Sequence, residues 1–553
     1  MEIETYIRER IQKAVLKADF HTGLPLEIEL VEGKQKGHGD LTTNVAFSLA
    51  SREKKSPREI AHTLVNAMEW DDAWIQKVEV AGSGFINFTF SPRYLFMQLQ
   101  NILKEGDTFG HGAQGRGIKV QIEFVSANPT GPLTIGHGRQ AVLGDTIARI
   151  MEATGYHVTR EYYFNDAGRQ MRVLADSVRL RAKQLLGESL SFPEDYYQGE
   201  YIREIAKKAV NERGASLKDA EELDYFQKLA EKDIFEDIKK TLLRLGIHFD
   251  VYYNEKSLYE TGKIDEVVKT LRAKDLVYDK EGAVWFRATR FGLDQDRVVI
   301  KSSGEPTYRL PDIAYHKDKM ERGFDLIVDI FGADHIATYP DVLAGLRALG
   351  YDTSRVKVLI HQFVTLTEGS EKVKMSTRKA NFVTLDELMD EVGVDVTRYF
   401  FLNRSMSSHL NFDLTLAKTQ SEENPVYYVQ YAHARICSIL RHAKKEGFDP
   451  EAEADLSVLR SSEEIALIKI LLKYPRVVFT TVGDFELHRI PAYLEEVATM
   501  YHRFQHAGKK DAALRVVTTN ASLTLARLAL CRATRIVLAN GLSLMGISRP
   551  EKM

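Results

Sequence analysis

Cysteine is almost missing from this chain: two residues, Cys437 and Cys531, in 553. Both lie in apolar, helical-looking surroundings, and neither has a partner at metal-ligand spacing. Two buried thiols are therefore expected rather than a disulfide. Long apolar runs are missing too; none would span a bilayer. The first residues, Met1-Glu2-Ile3-Glu4-Thr5, are acidic and lack the basic-then-apolar layout of a signal peptide. A reducing cytoplasm is the expected setting, with no membrane partner. An excess of one charge is absent: the net charge of −3 excludes a uniformly basic nucleic-acid coat. It leaves room for a local basic face. No Ser-His-Asp or Cys-His spacing suggests a covalent nucleophile. The length itself excludes a single core and predicts two to four domains.

What is present is organised around residues 121–155. Val120 to Val125 reads as a buried strand, β-branched and largely apolar. Ser126 to Ile135 is dense in turn formers, with Asn128-Pro129 and Gly131-Pro132. A helix follows: Val142, Leu143, Ile147, Ile150 and Met151 recur at helical spacing, and Gly155 sits where a helix stop belongs. A strand, a tight turn and a helix N-terminus make an anion-binding corner, because free N–H groups and the positive end of the helix dipole converge there. Gly136, without a Cβ, lets a ligand approach the backbone. His137 is placed to donate a hydrogen bond to a phosphate. Taken alone, Gly136-His137-Gly138 is equally well an ordinary turn.

The remaining chain supplies context. Residues 1–115 read as a small α+β domain, with a helix over 3–19, another over 43–51, and a helix start at Ser56-Pro57-Arg58-Glu59. Residues 79–90 read as two strand segments about a glycine turn, whose Phe85, Phe88 and Phe90 either pack a core or stack bases. Gly110 to Gly117 reads as a linker. His157 to Phe164 is a second strand, ending in Asn165-Asp166, which suits either a ligand site or a helix cap. Residues 171–275 are charged and helical, an insertion with a solvated face. The sheet is expected to resume with 283–286 and 297–300, then Leu326 to Phe331. Val356 to His361 is near-continuously apolar, as a strand buried on both faces would be. Gly369 to Asn381 crowds four cations into a polar loop, either a solvated surface or a flap for triphosphate charge. Residues 424–553 are helical throughout, with Lys and Arg exceeding Asp and Glu by roughly 18 to 13.

Thr134-Ile135-Gly136-His137 and Lys374-Met375-Ser376-Thr377-Arg378 together resemble the HIGH and KMSKS signatures of class I aminoacyl-tRNA synthetases. Their order, separation and setting carry the likeness. The surroundings narrow it. Residues 126–132 (SANPTGP), 165–168 (NDAG), 312–316 (DIAYH), 332–335 (GADH), 424–435 (NPVYYVQYAHAR) and the terminus 546–553 (GISRPEKM) look like bacterial-type arginyl-tRNA synthetase across essentially the whole chain.

The resemblance implies a multidomain α/β protein. A Rossmann-like catalytic domain with a doubly wound parallel sheet and a helical insertion would span 116–390. An α+β, tRNA-contacting domain would precede it (1–115), a connecting segment would follow (391–423), and an all-helical anticodon-binding domain would close the chain (424–553). It implies ATP-dependent activation of L-arginine and transfer of the arginyl group to tRNA. Mg²⁺ would enter with ATP as a substrate complex, with no prosthetic group, no protein-held metal and a monomeric enzyme. His137, Lys374, Thr134 and Gly136 would be catalytic. ATP would contact Gly131, Thr134, Gly136, His137, Lys374, Met375, Ser376 and Arg378. Arginine would meet Glu123, Asn128, Tyr308 and Asp312, with Asp334 and His335 also in the pocket. A guanidinium wants a planar carboxylate and a flat aromatic. Tyr308 and Asp312 would face one way if that segment is helical, although an Asp there also suits a helix start. Asn87, Phe90, Arg435, Arg503 and Lys509 would contact tRNA.

Two departures stand out. Thr134 replaces the first His of HIGH, and Thr377 the second Lys of KMSKS. Arg378 or Lys379 is left to supply that cation. A nucleotidylyltransferase or a non-catalytic tRNA-binding relative would share parts of this pattern.

Overall fold

The computed structural model describes residues 3–20, 26–33, 39–217, 223–369, 371–372 and 383–553. Lys374, Met375, Ser376, Thr377, Arg378 and Lys379 lie outside the described residues. The chain divides into two compact units. The first holds Met1–Phe109, Arg435–Lys473 and Thr499–Val537; the second holds Gly110–Ala434, Tyr474–Ala498 and Leu538–Met553. No described helix is long and apolar enough to cross a membrane.

The second unit is built on a five-stranded parallel sheet. Across it run Val356–His361, Leu326–Gly332, Lys119–Glu123, His157–Phe164 and Val251–Asn254. From the central strand Lys119–Glu123 the chain first builds outward through His157–Phe164 and Val251–Asn254. It then returns to the opposite side with Leu326–Gly332 and Val356–His361. The reversal falls between Lys119–Glu123 and Leu326–Gly332, and such a switch point opens a crevice at the carboxyl ends of the strands.

Three expectations are corrected here. Strands Ala283–Phe286 and Arg297–Ile300 do not extend this sheet; with Val277–Lys280 they form a separate antiparallel sheet. Val251–Asn254 falls inside the stretch read as an insertion, yet it is an edge strand of the main sheet. Four residues between charged helices are too few to show a period. Val356–His361 is the other edge, with alternate residues only half-buried; apolar composition did not reveal which strand had one neighbour.

Helix Ile135–Ala153 crosses the sheet, and two glycines fix how closely. A Cβ at Gly144 would meet Phe124 Cγ at 2.2 Å. One at Gly138 would meet Leu385 Cδ1 at 2.5 Å. Neither site can hold a side chain without displacing its neighbour. Gly155 ends the connection at φ +93°, as a left-handed stop requires. Helices Gly168–Leu185, Glu200–Arg213 and Leu223–Arg244 follow. The C-terminal segment docks on this unit through a buried arginine. Arg398 donates to Met545 O (2.6 Å), Leu245 O (2.8 Å) and Asp145 Oδ2 (2.6 Å). Gly546, at φ +66°, lies over that guanidinium with no room for a Cβ.

The first unit contains an antiparallel sheet, in the order Val31–Glu32, Leu41–Thr43, Phe85–Phe90, Ile75–Ala81, packed against helices Ile3–Lys17, Val45–Glu53 and Pro57–Ala67. Thr43 closes a strand here; the helix read from 43 begins at Val45. Ser56 and Glu59 form a reciprocal cap at the helix start that the sequence announces: Glu59 N donates to Ser56 Oγ (3.2 Å) and Ser56 N to Glu59 Oε2 (3.0 Å). Within the same unit Lys469 pairs with Asp40 at 2.6 Å, and Arg527 with Glu464 at 2.7 Å.

Candidate active site

The central strand does not simply end in a turn. Val125 and Ser126 adopt φ of +69° and +45°. For a β-branched valine this is a strained conformation, sustained only where surroundings over-determine it. Those surroundings are visible. Ser126 Oγ donates to Glu123 Oε1 (2.8 Å) and accepts from Tyr163 N (3.2 Å). Tyr162 OH donates to Ala127 O (2.8 Å), and Asn128 Oδ1 accepts from Asn165 N (2.9 Å). Neighbouring strand His157–Phe164 thus locks the corner residue by residue.

The helix beyond the corner is capped by its own signature. Thr134 N donates to His137 Nδ1 at 3.2 Å. With Nδ1 accepting, the proton of a neutral ring resides on Nε2. Burial lowers the ring's pKa, against the opposing pull of Asp334. His137 is therefore a neutral imidazole with Nε2–H as its donor. A Cβ at Gly136 would meet nothing nearer than Thr134 Oγ1 at 3.7 Å, so the space over the helix start is open. The two glycines around His137 differ: Gly136 faces open space and Gly138 the core.

A cleft of about 1040 Å³ opens at these strand ends. It brings together Glu123, Asn128, Thr134, Gly136, His137, Tyr308, Asp312, Asp334 and His335. Gly131 is not among its lining residues; Tyr201 OH lies 3.0 Å from where its Cβ would stand. The segment from Tyr308 is helical, as the pairing with Asp312 required: Arg309–Glu321 is a helix with Tyr308 at its N-cap. Tyr308 is 86% exposed, a ring with one face free at the rim.

The cleft's carboxylates differ in how they are satisfied. Glu123 pairs with Lys319, a lysine with no exposed surface, which also reaches Asp329 Oδ1 at 2.6 Å. His316 Nε2 lies 3.0 Å from Asp329 Oδ2. Glu123, His316 and Asp329 have the spacing of a metal site, but the Lys319 ammonium sits between the two carboxylates and supplies the positive charge. Asp312 forms no ion pair among the described residues. Burial pushes its carboxyl up to about 7; Glu255 and Glu123 add to this, while His316 and Lys319 oppose it.

Glu255 also lines the cleft and was missed in the sequence. It accepts from Tyr163 OH (2.8 Å) and Asn165 Nδ2 (2.8 Å), and burial raises its pKa. Asn165 does not cap the next helix, whose N-cap is Ala167; its Oδ1 accepts from Ala167 N at 2.8 Å in the turn before it. His361 on the far edge strand is held neutral by burial, its pKa lowered to about 4. His335 stacks on Phe331 at 5.1 Å, and Asp334 and His335 keep 70% and 53% of their side chains exposed.

The residues assigned to nucleic acid fall elsewhere. Arg435, Arg503 and Lys509 are exposed in the first unit. Asn87 is only 2% exposed, too buried for a direct contact, and Phe90 is half-buried against Tyr94. The surface aromatic of that strand is Phe85, 42% exposed. Its neighbour Phe88 is core, which decides that ring, while Phe85 lies at the surface against Phe47 at 5.0 Å.

A parallel sheet with a strained corner, a glycine-histidine helix start and a cleft at the switch point defines a class I aminoacyl-tRNA synthetase, and comparison with known proteins agrees. Residues 98–406 match the catalytic domain of class I (R) tRNA synthetases, residues 1–90 the arginyl-tRNA synthetase N-terminal domain, and residues 429–553 the DALR anticodon binding domain. The arginine–tRNA ligase of Desulfotalea psychrophila is 53% identical over 94% of both chains. That of Salinibacter ruber is 50% identical over the full length of both. The fold matches Thermus thermophilus arginyl-tRNA synthetase with a TM-score of 0.78 across both whole chains, at 22% identity. The chain belongs to the arginyl-tRNA synthetase family.

Proposed function

We propose that the cleft at the Glu123–His137 corner carries both steps of this ligase's reaction, with the roles that follow. The chain activates L-arginine with ATP, forming arginyl-adenylate and pyrophosphate, and passes the arginyl group to the 3′-terminal ribose of its tRNA, releasing AMP. The carboxylate of arginine attacks the α-phosphate. Catalysis of this kind needs positioning and charge stabilisation rather than a covalent nucleophile.

The observation that carries the reading is Asp312, a carboxylate with no ion pair among the described residues, one helical turn from the exposed Tyr308 and in the same cleft as His137. Asp312 takes the guanidinium, with Tyr308 flat against it and Glu255 as a second carboxylate. Glu123 is held in place by Lys319 and lies with Asn128 near the α-ammonium. Asp334 and His335 border the same pocket. His137 donates Nε2–H to ATP phosphate, Gly136 admits the nucleotide, and the Thr134 hydroxyl replaces the first histidine of the motif. Lys374, Met375, Ser376 and Arg378 meet the migrating phosphates. Mg²⁺ arrives with ATP, as hard phosphate oxygens favour. Arg435, Arg503 and Lys509 contact tRNA, with Phe85 in place of Asn87 as the N-terminal contact. The enzyme acts as a monomer in the cytoplasm.

The test is arginine-dependent charging of tRNA with radiolabelled arginine. Charging that requires ATP and arginine, and is lost in Asp312→Asn and His137→Ala, is the expected result. Undiminished charging in both variants would move the chemistry away from this cleft.

A further inference from the structure

The charged insertion contains a second, smaller cavity of about 230 Å³, between the end of helix Gly168–Leu185 and the start of helix Glu200–Arg213. Arg181, Gln184, Gln198, Gly199, Glu200 and Arg203 line it with Leu185. Two guanidiniums facing one small polar space is an arrangement that folding alone does not favour. Neither arginine forms an ion pair among the described residues. Burial lowers the affinity of Arg181 for its proton, and the charge of Arg203 adds to this, against a smaller opposing pull from Glu200.

Arg181 is nonetheless held still. Its guanidinium stacks on Phe192 at 3.7 Å and donates to Gln184 Oε1 (2.8 Å) and Gln198 Oε1 (3.4 Å). A guanidinium has five N–H donors, so these two bonds leave others for a ligand. Gly199, which begins the second helix, offers no side-chain cap to the first-turn N–H groups. These add a partial positive charge at the cavity wall. A planar fork, a second guanidinium and free backbone donors match a phosphate group.

The cavity's position says which phosphate. One residue beyond Glu200, Tyr201 OH donates to Thr130 O at 2.8 Å, in the corner that walls the active cleft. Tyr197 hydrogen-bonds the Thr130 side chain as well. The cavity is therefore braced to the turn that leads into the cleft where the terminal ribose of tRNA must be placed. We propose that Arg181 and Arg203 form a binding site for a backbone phosphate of the tRNA acceptor strand, outside the catalytic cleft. The location argument rests on the cleft assigned above; the test does not.

The full-length variant Arg181→Gln/Arg203→Gln is compared with wild type in steady-state aminoacylation at several salt concentrations. KM for tRNA is expected to rise roughly tenfold, and the log–log salt slope to fall by about 1, as one lost phosphate contact dictates. KM for arginine and for ATP, and kcat at saturating tRNA, should stay within about twofold. Arg181→Lys/Arg203→Lys keeps both charges and should retain the wild-type slope. A wild-type slope in the glutamine variant overturns the proposal, even if KM rises, because the effect is then a distortion of the corner through Tyr201. Inorganic phosphate titrated by calorimetry separates the sources. If wild type binds it, the glutamine variant does not, and the tRNA slope is unchanged, the site serves a free anion and the tRNA assignment fails.

Discussion

Asp312→Asn tests the arginine pocket most directly, because it keeps shape while removing the charge. The carboxyl is pushed up to about 7 by burial, and no ion pair among the described residues relieves it. Binding a guanidinium requires the ionised form, so arginine binding to the free enzyme must expel a proton below that pH. The sign follows: kcat/KM for arginine should fall about tenfold per pH unit below 7 and level off above it. In Asp312→Asn that limb should vanish. The remaining cost is that of a buried guanidinium deprived of a partner, about 3 kcal/mol or more, hence roughly two decades in kcat/KM. KM for ATP should change little. Stability should move the other way. A folded-state pKa above the ordinary carboxylate value makes ionisation costly to the fold, a cost absent in acid and complete above about pH 7. The substituted, ligand-free enzyme should therefore melt higher than wild type at pH 8. Arginine use within a few-fold of wild type, or a persisting acid limb, would refute the assignment and make Glu255 the next candidate.

Three further outcomes are expected. Lys374→Ala should slow adenylate formation about a hundredfold while leaving arginine affinity nearly intact, because its charge acts in the transition state; single-turnover kinetics with an unchanged activation step would contradict this. Charge reversal at Arg503 and Lys509 should raise KM for tRNA and weaken its salt dependence, and a KM indifferent to both mutation and salt would place the tRNA elsewhere. Gly144→Ala puts a Cβ 2.2 Å from Phe124 Cγ and should cost about 1–3 kcal/mol through overpacking; a thermal transition equal to wild type would show that Phe124 yields freely.

The sequence by itself determined the strand, corner and helix around His137, the helical C-terminal region and the family. These rest on local signals: a β-branched run, turn formers, helical periodicity and two short motifs in the right order. Such signals act between residues close in the chain, so they survive without a structure. The helix start at Ser56-Pro57 was legible for the same reason, and the structure added its reciprocal cap with Glu59. Tertiary structure alone decided which strands share a sheet. Residues 283–300 look like any strands, and only pairing shows that they build a separate sheet. It alone placed Glu255 beside Asp312, since nothing local distinguishes that glutamate from its many solvated counterparts. It alone made Glu123 and Asp312 different: one carboxylate received an ion pair with Lys319, and the other received burial first and no ion pair among the described residues. Charge pairing is set by what surrounds a group in space: the partner of Glu123 lies 196 residues away in the chain, and Asp312 has no ion pair among the described residues.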